Sequence, residues 1–226
     1  MSEGIDKGTN KPVIAIIGGT GKEGPGLAMR WAHAGYRILI GSRQAEKAQA
    51  TAAVLNNQLG IDTIQGMRND QAARRAEISI LTVVQDAHQQ ALEGLREALV
   101  GKILVDATAR VDFRDPKPPE PPSAARRAQT ILGDQVRVVA AFQNVPSPAL
   151  KKNLGGKIAT DVLVCADDLE AAKAVIQLAN DGGMKAYYAG GLDNANIVEG
   201  LTSLLISVNK YYGTKTASIH LIGLEG

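Results

Sequence analysis

From residue 13 onward, short apolar runs alternate with longer amphipathic stretches. Nearly continuous apolar runs are typical of strands buried on both faces of a sheet, whereas apolar residues three or four positions apart predict helices. Their regular alternation predicts a parallel sheet with right-handed crossovers. The predicted strands are 13–17, 37–40, 63–65, 78–84, 102–106, 136–141, 161–165 and 185–188, and the later predicted helices are 44–58, 168–179 and 195–211.

A glycine-rich turn joins the first predicted strand to the first predicted helix. Gly19, Gly21 and Gly24 form a G-x-G-x-x-G pattern directly after residues 13–17. In this position the first glycine permits a tight turn, the second lets a pyrophosphate approach the backbone, and the third lets the helix pack on the strand. The helix N-terminus offers free N–H groups to the phosphates. Glycines also occur in ordinary turns, but this context favours a dinucleotide-binding site.

The residues after the second predicted strand indicate which dinucleotide binds. Folds that bind NAD usually place an acidic side chain here, where it bonds the ribose 2′-hydroxyl. This chain has Ser42 and Arg43 instead, with Lys47 one helical turn later. A hydroxyl, a guanidinium and an ammonium suit a 2′-phosphate, so the sequence predicts NADP(H). The alternative is that these groups are only the solvated start of a helix.

These features together predict a Rossmann-like, doubly wound and mainly parallel α/β sheet with a small α+β C-terminal domain. Residues 115–122 carry five of the nine prolines, which predicts an extended loop before a helix that begins near Ser123. Beyond Pro148 the pattern is less regular. We expect a flexible tail over residues 1–10, an NADP-binding domain over residues 11–150, and a substrate or dimerisation domain over residues 151–226.

Composition narrows the class of protein. The chain has 226 residues, of which 45% are hydrophobic and 21% charged, so it can bury a core without disulfides. Its net charge of +2 gives no reason to expect a nucleic-acid partner or a membrane surface. One cysteine and three histidines leave few ligands for a metal. Because the first ten residues are polar and no apolar run is membrane-length, we expect a cytoplasmic protein with a small-molecule substrate and no metal.

The motifs resemble a known family. Gly18–Gly21 followed by Gly41-Ser42-Arg43-x3-Lys47 is similar to the NADPH-dependent coenzyme F420 reductases, also called F420H2:NADP oxidoreductases. The likeness continues over most of the chain, at residues 66–69, 123–125, 138–146, 161–168, 189–202 and 205–209. The resemblance implies direct hydride transfer between C4 of the nicotinamide and C5 of a deazaflavin. It also implies a homodimer formed largely through the C-terminal part.

The resemblance also assigns roles to individual residues. The backbone around Gly19 and the residues Thr20, Gly21, Lys22 and Glu23 would surround the pyrophosphate, and Ser42, Arg43 and Lys47 the 2′-phosphate. Val83, Ala109 and Ser147 would line the nicotinamide, while Gln85, Gln143, Asn144 and Ala217 would lie on the acceptor side. We expect no catalytic acid or base, because hydride transfer to a deazaflavin depends on alignment and exclusion of water.

Three departures from the family pattern lie on the acceptor side. Val84-Gln85 replaces the family's Pro-Trp, Gln143 replaces a histidine, and the loop over residues 106–109 differs from the usual Asn/Pro-containing loop. The alternatives are therefore an NADPH-dependent reductase of a flavin, imine or carbonyl compound, or a non-catalytic NADP(H) sensor. For His88 the alternatives are a role in proton transfer near the nicotinamide or, as we expect, a partly exposed surface position at a helix start. For Gln143 and Asn144 they are hydrogen bonds to a ring edge or to strand ends.

Overall fold

A computed structural model describes residues 11–224 of the chain; the predicted tail over residues 1–10 lies outside this range. The strands are β1 (Ile14–Ile17), β2 (Ile38–Ser42), β3 (Ile64–Arg68), β4 (Ile78–Leu81), β5 (Ile103–Asp106), β6 (Arg137–Ala140), β7 (Asp161–Ala166) and β8 (Lys185–Tyr188). They form one sheet in the order β3-β2-β1-β4-β5-β6-β7-β8. This confirms the predicted Rossmann-like sheet.

Helices cover both faces of the sheet. They are α1 (Gly24–His33), α2 (Ala45–Leu59), α3 (Asn69–Arg75), α4 (Gln85–Leu99), α5 (Ala124–Leu132), α6 (Ser147–Leu150), α7 (Leu169–Asp181) and α8 (Ala195–Tyr212), with a short 3-10 helix at Leu192–Asn194. Apolar residues of α1, α2 and α7 form one core layer. Those of α3, α4, α5 and α8 form the layer on the opposite face. The sheet is therefore buried on both sides, as its apolar strands require.

Strand directions decide where a ligand can bind. Strands β1 to β6 are parallel, and the order changes direction between β1 and β4. A crevice forms beyond the carboxyl ends of the strands at such a point. β7 is antiparallel to β6 and β8 is parallel to β7. The start of β7 therefore lies at the same edge as the carboxyl ends of β1 to β6.

A buried arginine holds α1 against the segment that follows β6. The Arg30 guanidinium is buried in the α1 face and donates to backbone carbonyls only. These belong to Leu150, Lys152, Asn153, Gly156 and Gly182. Neighbouring Trp31 packs edge-to-face on Phe142, with ring centroids 5.6 Å apart. The sequence pattern around α1 indicated an apolar face and did not reveal this polar anchor.

The structure corrects several predicted boundaries. The fourth strand ends at Leu81 and not at residue 84, because its neighbour β1 ends at Ile17. The carbonyl of Ile17 accepts both the backbone N–H and the hydroxyl of Thr82. Helices α3 and α6 were not predicted. Residues 107–123 form neither helix nor strand, as the prolines indicated. The division near residue 150 stays a prediction, while β7 and β8 continue the same sheet.

Candidate active site

The glycine turn between β1 and α1 is held by its neighbours at the carboxyl edge of the sheet. The Gly18 N–H donates to Asn69 Oδ1 over 3.2 Å, and the Gly19 N–H donates to the carbonyl of Gly41 over 2.9 Å. Gly18 has a φ of 72°, which favours glycine. Asn69, the first residue of α3, was part of a noted motif but was not predicted to hold the turn. The turn thus depends on contacts with β2 and α3.

The three motif glycines meet different constraints. A Cβ at Gly19 would lie 2.7 Å from the carbonyl oxygen of Ile16, and one at Gly24 would lie 2.6 Å from the Cα of Gly19. A Cβ at Gly21 would meet only the Gly18 carbonyl oxygen, at an ordinary 3.6 Å. Internal packing therefore explains Gly19 and Gly24 but not Gly21. The exposed backbone at Gly21 fits a pyrophosphate that approaches this turn closely.

Glu23 is an unusual acid for an anion-binding turn. It precedes α1 and makes no side-chain cap, and its Oε1 is buried with no hydrogen-bond partner among residues 11–224. Burial raises the pKa of this carboxyl from 4.5 to about 8. A neutral carboxyl does not repel a bound phosphate, so the acid is compatible with a dinucleotide near neutral pH. Thr20 and Lys22 complete the turn, and Lys22 is exposed.

The predicted 2′-phosphate residues lie together at the end of β2. Ser42 is buried and its Oγ accepts the N–H of Gln44, while Arg43 and Lys47 extend into solvent. No acidic residue occupies the last position of β2 or the position after it. The site therefore fits the phosphate of NADP(H), because its nearest side chains are a hydroxyl and cations.

A buried acid and histidine lie at the ends of β4 and β5. His88 Nε2 is 2.6 Å from Asp106 Oδ2, and the other carboxylate oxygen accepts the N–H of Thr108. Both partners are buried. The interpretation of His88 as a partly exposed surface residue was wrong, because position 88 of α4 faces the end of β5. Val83 lies at the same edge of the sheet as this pair. It packs against the glycine turn, since a Cβ added at Gly18 would lie 2.8 Å from Val83 Cγ1.

The residues after β6 line the opposite side of this edge. Phe142 has a φ of 76°, a rare value for a bulky residue, which is typical of functional turns. The Gln143 amide donates to the carbonyl of Asp106, and the Asn144 amide donates to the carbonyl of Asp161. Their Oε1 and Oδ1 atoms are buried without partners among the described residues. Each side chain therefore donates to a backbone carbonyl and keeps one buried oxygen without a partner among residues 11–224.

The remaining predicted residues are distributed around this edge. Gln85 is exposed at the start of α4, Ala109 lies in the loop after β5, and Ser147 begins α6. Ala217 donates its N–H to Asn209, and the tail that it opens follows the start of β7, where the Asp161 N–H donates to Ile219. The structure therefore brings this tail near Asn144 through Asp161.

Glu199 connects the loop after β5 to α8. It is buried, and its carboxylate accepts from the backbone and the guanidinium of Arg110 and from the N–H of Ala124. Asn194 and Asn196 instead donate to the carbonyls of Ala189 and Pro119. No sequence pattern indicated that Arg110 and Glu199, 89 positions apart, form an ion pair. This pair fixes the loop that carries Ala109.

Residues 11–224 contain no group of three or more His, Cys, Asp or Glu side chains that could hold a metal ion. In the same range no helix is both long and apolar enough to span a bilayer. Cys165 is buried in β7, and desolvation raises the pKa of its thiol to about 11.

The strand order from β3 to β6, the glycine turn and the basic end of β2 define an NADP-binding oxidoreductase with a Rossmann fold. Residues 13–110 match the family model described as NADP oxidoreductase, coenzyme F420-dependent. The chain is 38% identical over 224 residues to the F420-dependent NADP reductase of Methanothermobacter marburgensis, covering 93% of this chain and 98% of that protein. The chain belongs to the family of coenzyme F420-dependent NADP oxidoreductases.

Two further comparisons agree. The F420-dependent NADP reductase of Methanocaldococcus jannaschii is 39% identical over 227 residues, covering 94% of this chain and 99% of that protein. A crystal structure described as a putative F420-dependent NADP-reductase from Arthrobacter sp. FB24 has a TM-score of 0.78. Its identity is 24%, and the match covers 93% of this chain and 99% of that one, so this likeness concerns the fold.

Proposed function

We propose that this protein transfers hydride between NADPH and the deazaflavin coenzyme F420. The observation that carries the proposal is the meeting of three features at one edge of the sheet. These are the glycine turn, the basic end of β2, and the buried oxygens of Gln143 and Asn144 that have no partner among residues 11–224. Ligands of such sheets bind at this edge.

The chain's own groups would hold the dinucleotide at both ends. The backbone from Gly19 to Glu23 binds the pyrophosphate, with the N-terminus of α1 contributing favourable partial charge. Ser42, Arg43 and Lys47 bind the 2′-phosphate. Val83, Ala109 and Ser147, in the segments that follow β4, β5 and β6, line the nicotinamide. The site is exposed and basic at the 2′-phosphate end, and Val83, Ala109 and Ser147 are half-buried at the nicotinamide end.

On the acceptor side the chain orients a ring and needs no acid or base for the hydride step. Gln143 Oε1 and Asn144 Oδ1 accept N–H groups from the ring edge, with Gln85 and the tail from Ala217 closing the site. When bound, NADPH would supply the hydride to the deazaflavin, and the accompanying proton would come from solvent. The residues contribute by alignment and by excluding water, which is sufficient for such a transfer.

The buried His88–Asp106 pair favours a second candidate, an NADPH-dependent reductase of an imine or a carbonyl compound. Reduction of these acceptors needs a proton at the developing nitrogen or oxygen anion, and histidine is a common donor. The same edge carries the three departures at residues 84–85, 106–109 and 143. Two further alternatives are a reductase whose acceptor is a flavin, and a sensor that binds NADP(H) without transferring hydride.

The test is anaerobic mixing of the protein with NADPH and oxidised F420, followed by the loss of deazaflavin absorbance. The proposal expects a rate proportional to enzyme concentration. Parallel mixtures with FMN, a cyclic imine and a ketone should show much slower NADPH oxidation. A flat F420 trace with NADPH bound overturns the proposal, and turnover with an imine or ketone would support the second candidate. Binding without any transfer would support the sensor.

The cofactor assignment has its own prediction. Replacing Arg43 by alanine should weaken NADPH binding by about 10- to 100-fold, as expected for loss of a charge-assisted bond, and change NADH binding less than about twofold. Isothermal titration calorimetry measures both affinities. Equal losses for the two dinucleotides would contradict a 2′-phosphate site at Arg43.

We also propose that the protein is a homodimer and that α8 supplies the interface. One face of α8 carries apolar residues at spacings of four and three, and the exposed fractions of Ile197, Leu204 and Tyr211 are 71%, 56% and 84%. Leu201 and Val208 lie between them on the same face. An exposed stripe of this kind suits a second copy of the same helix.

We further propose a cytoplasmic location. The chain has a single cysteine and therefore no internal disulfide, which suits a reducing compartment.

A further inference from the structure

Arg68 stands beside the predicted 2′-phosphate residues although the sequence separates them by 25 positions. It is the last residue of β3, and the parallel register pairs Ser42 with Arg68. Adjacent strands in a sheet lie about 5 Å apart. The position therefore brings a second guanidinium to the carboxyl edge, next to Ser42 and Arg43.

The Arg68 side chain is oriented toward the end of β2. Its Nη1 donates to the carbonyl oxygen of Arg43 over 3.3 Å, and its Nε lies 3.4 Å from Asp70 Oδ1. The side chain is 59% exposed, and its Nη2 has no partner among residues 11–224. Exposed contacts of this kind contribute little to stability. The guanidinium thus lies against the backbone of Arg43 and keeps donors free for a ligand.

A 2′-phosphate carries two negative charges and three terminal oxygens near neutral pH. Ser42, Arg43 and Lys47 approach it from β2 and α2 only. Resting on the proposed NADP site, we propose that Arg68 binds the 2′-phosphate directly from the β3 side and is a specificity residue for NADP(H) over NAD(H). Arg68 also compensates Asp70, whose carboxylate would otherwise repel the same phosphate.

The test compares Arg68→Ala and Arg68→Lys with Arg74→Ala. Arg74 is a matched control because its side chain is also 59% exposed and makes a weak ion pair, 3.8 Å from Glu97. Calorimetry with NADPH, NADH, 2′,5′-ADP and 5′-AMP measures the affinities. Arg68→Ala should weaken NADPH and 2′,5′-ADP by about 10-fold or more and leave NADH and 5′-AMP within about twofold. Arg68→Lys should lie between, and Arg74→Ala should match the wild type.

Equal loss for phosphorylated and unphosphorylated ligands, or no loss for either, overturns the inference. Thermal unfolding of each variant separates lost binding from lost folding, and Arg68→Met, which keeps the aliphatic stem, replaces the alanine variant if that one unfolds. Arg43→Ala distinguishes failure of the proposed role of Arg68 from failure of the whole 2′-phosphate site. If it discriminates NADPH from NADH and Arg68→Ala does not, only the role of Arg68 fails. If neither discriminates, the 2′-phosphate site itself fails.

Discussion

At the scale of single residues, the glycines of the turn between β1 and α1 serve two different purposes, internal packing and cofactor binding. Gly24 is needed because a methyl group would meet the backbone of Gly19, whereas a methyl group at Gly21 meets nothing closer than 3.6 Å. Gly24→Ala should therefore lower the free energy of unfolding by about 1–3 kcal/mol. Gly21→Ala should change it by less than about 1 kcal/mol and weaken NADPH binding by about tenfold or more, because the methyl group occupies the approach of the pyrophosphate.

Urea unfolding and NADPH titration of the two variants check this contrast. A Gly21→Ala protein that binds NADPH as tightly as the wild type would mean that the pyrophosphate does not approach this position.

The raised pKa of Glu23 leads to a second prediction for a single residue. In the unfolded chain its pKa is near 4.5, while burial raises the folded pKa to about 8. Below pH 4.5 both states are protonated and the group has no effect. Between these values the unfolded state releases its proton first, so Glu23 costs progressively more stability as pH rises, reaching about 3 kcal/mol near pH 7.

Glu23→Gln should therefore match the wild type near pH 4.5 and become increasingly more stable than it toward pH 8. Free energies of unfolding measured by urea at several pH values test this. Glu46→Gln, an exposed position at the start of α2, is the control and should show no such trend. A constant difference between Glu23→Gln and wild type across the range would contradict a raised pKa at Glu23.

At the scale of elements, Glu199 joins the loop after β5, the start of α5 and α8 in one buried contact. Glu199→Ala leaves the Arg110 charge and the Ala124 N–H without their partner. Breaking such a buried pair costs about 3–5 kcal/mol. The exposed pair of Glu170 with Lys173 is the matched control, and Glu170→Ala should cost less than about 0.5 kcal/mol. Similar costs in chemical denaturation for both variants would contradict this role of Glu199.

The elements that sequence predicted well are those whose burial is uniform. Strand β1 is apolar at every position and buried at every position, so its pattern predicted it correctly. Strand β3 is an edge strand, and Gln65 and Arg68 are exposed. Only residues 63–65 were predicted, so the pairing of Arg68 with Ser42 was missed. Helix α3 is one short helical segment with Ala72 and Ala73 as its buried residues, too little for a periodic signal.

The candidate site also contains parts that the sequence pattern could predict and parts that it could not. The glycine turn and the end of β2 are local in sequence, so their residues could be predicted from spacing. The contacts of His88 with Asp106, Asn69 with Gly18 and Glu199 with Arg110 join distant segments. Only the sheet order brings such residues together, and no pattern along the chain encodes their distances.

At the scale of the whole molecule, the apolar stripe on α8 predicts self-association. Leu204→Lys places a charge in the centre of the stripe without disturbing the core, because Leu204 is 56% exposed. The wild type should sediment as a dimer and this variant as a monomer in analytical ultracentrifugation. Val54→Lys on α2, exposed to 54%, is the control and should remain dimeric. A monomeric wild type would refute the dimer, and a dimeric Leu204→Lys would place the interface elsewhere.

The central claim is direct hydride transfer between NADPH and F420 at the carboxyl edge of the sheet. The most direct measurement uses NADPH deuterated at C4, with the label on one face or the other, and mass spectrometry of the reduced deazaflavin. The account predicts that one of the two labelled forms transfers its deuterium to C5 and the other transfers hydrogen. Reduced F420 without deuterium from either form, or no reduction of F420, would contradict direct transfer.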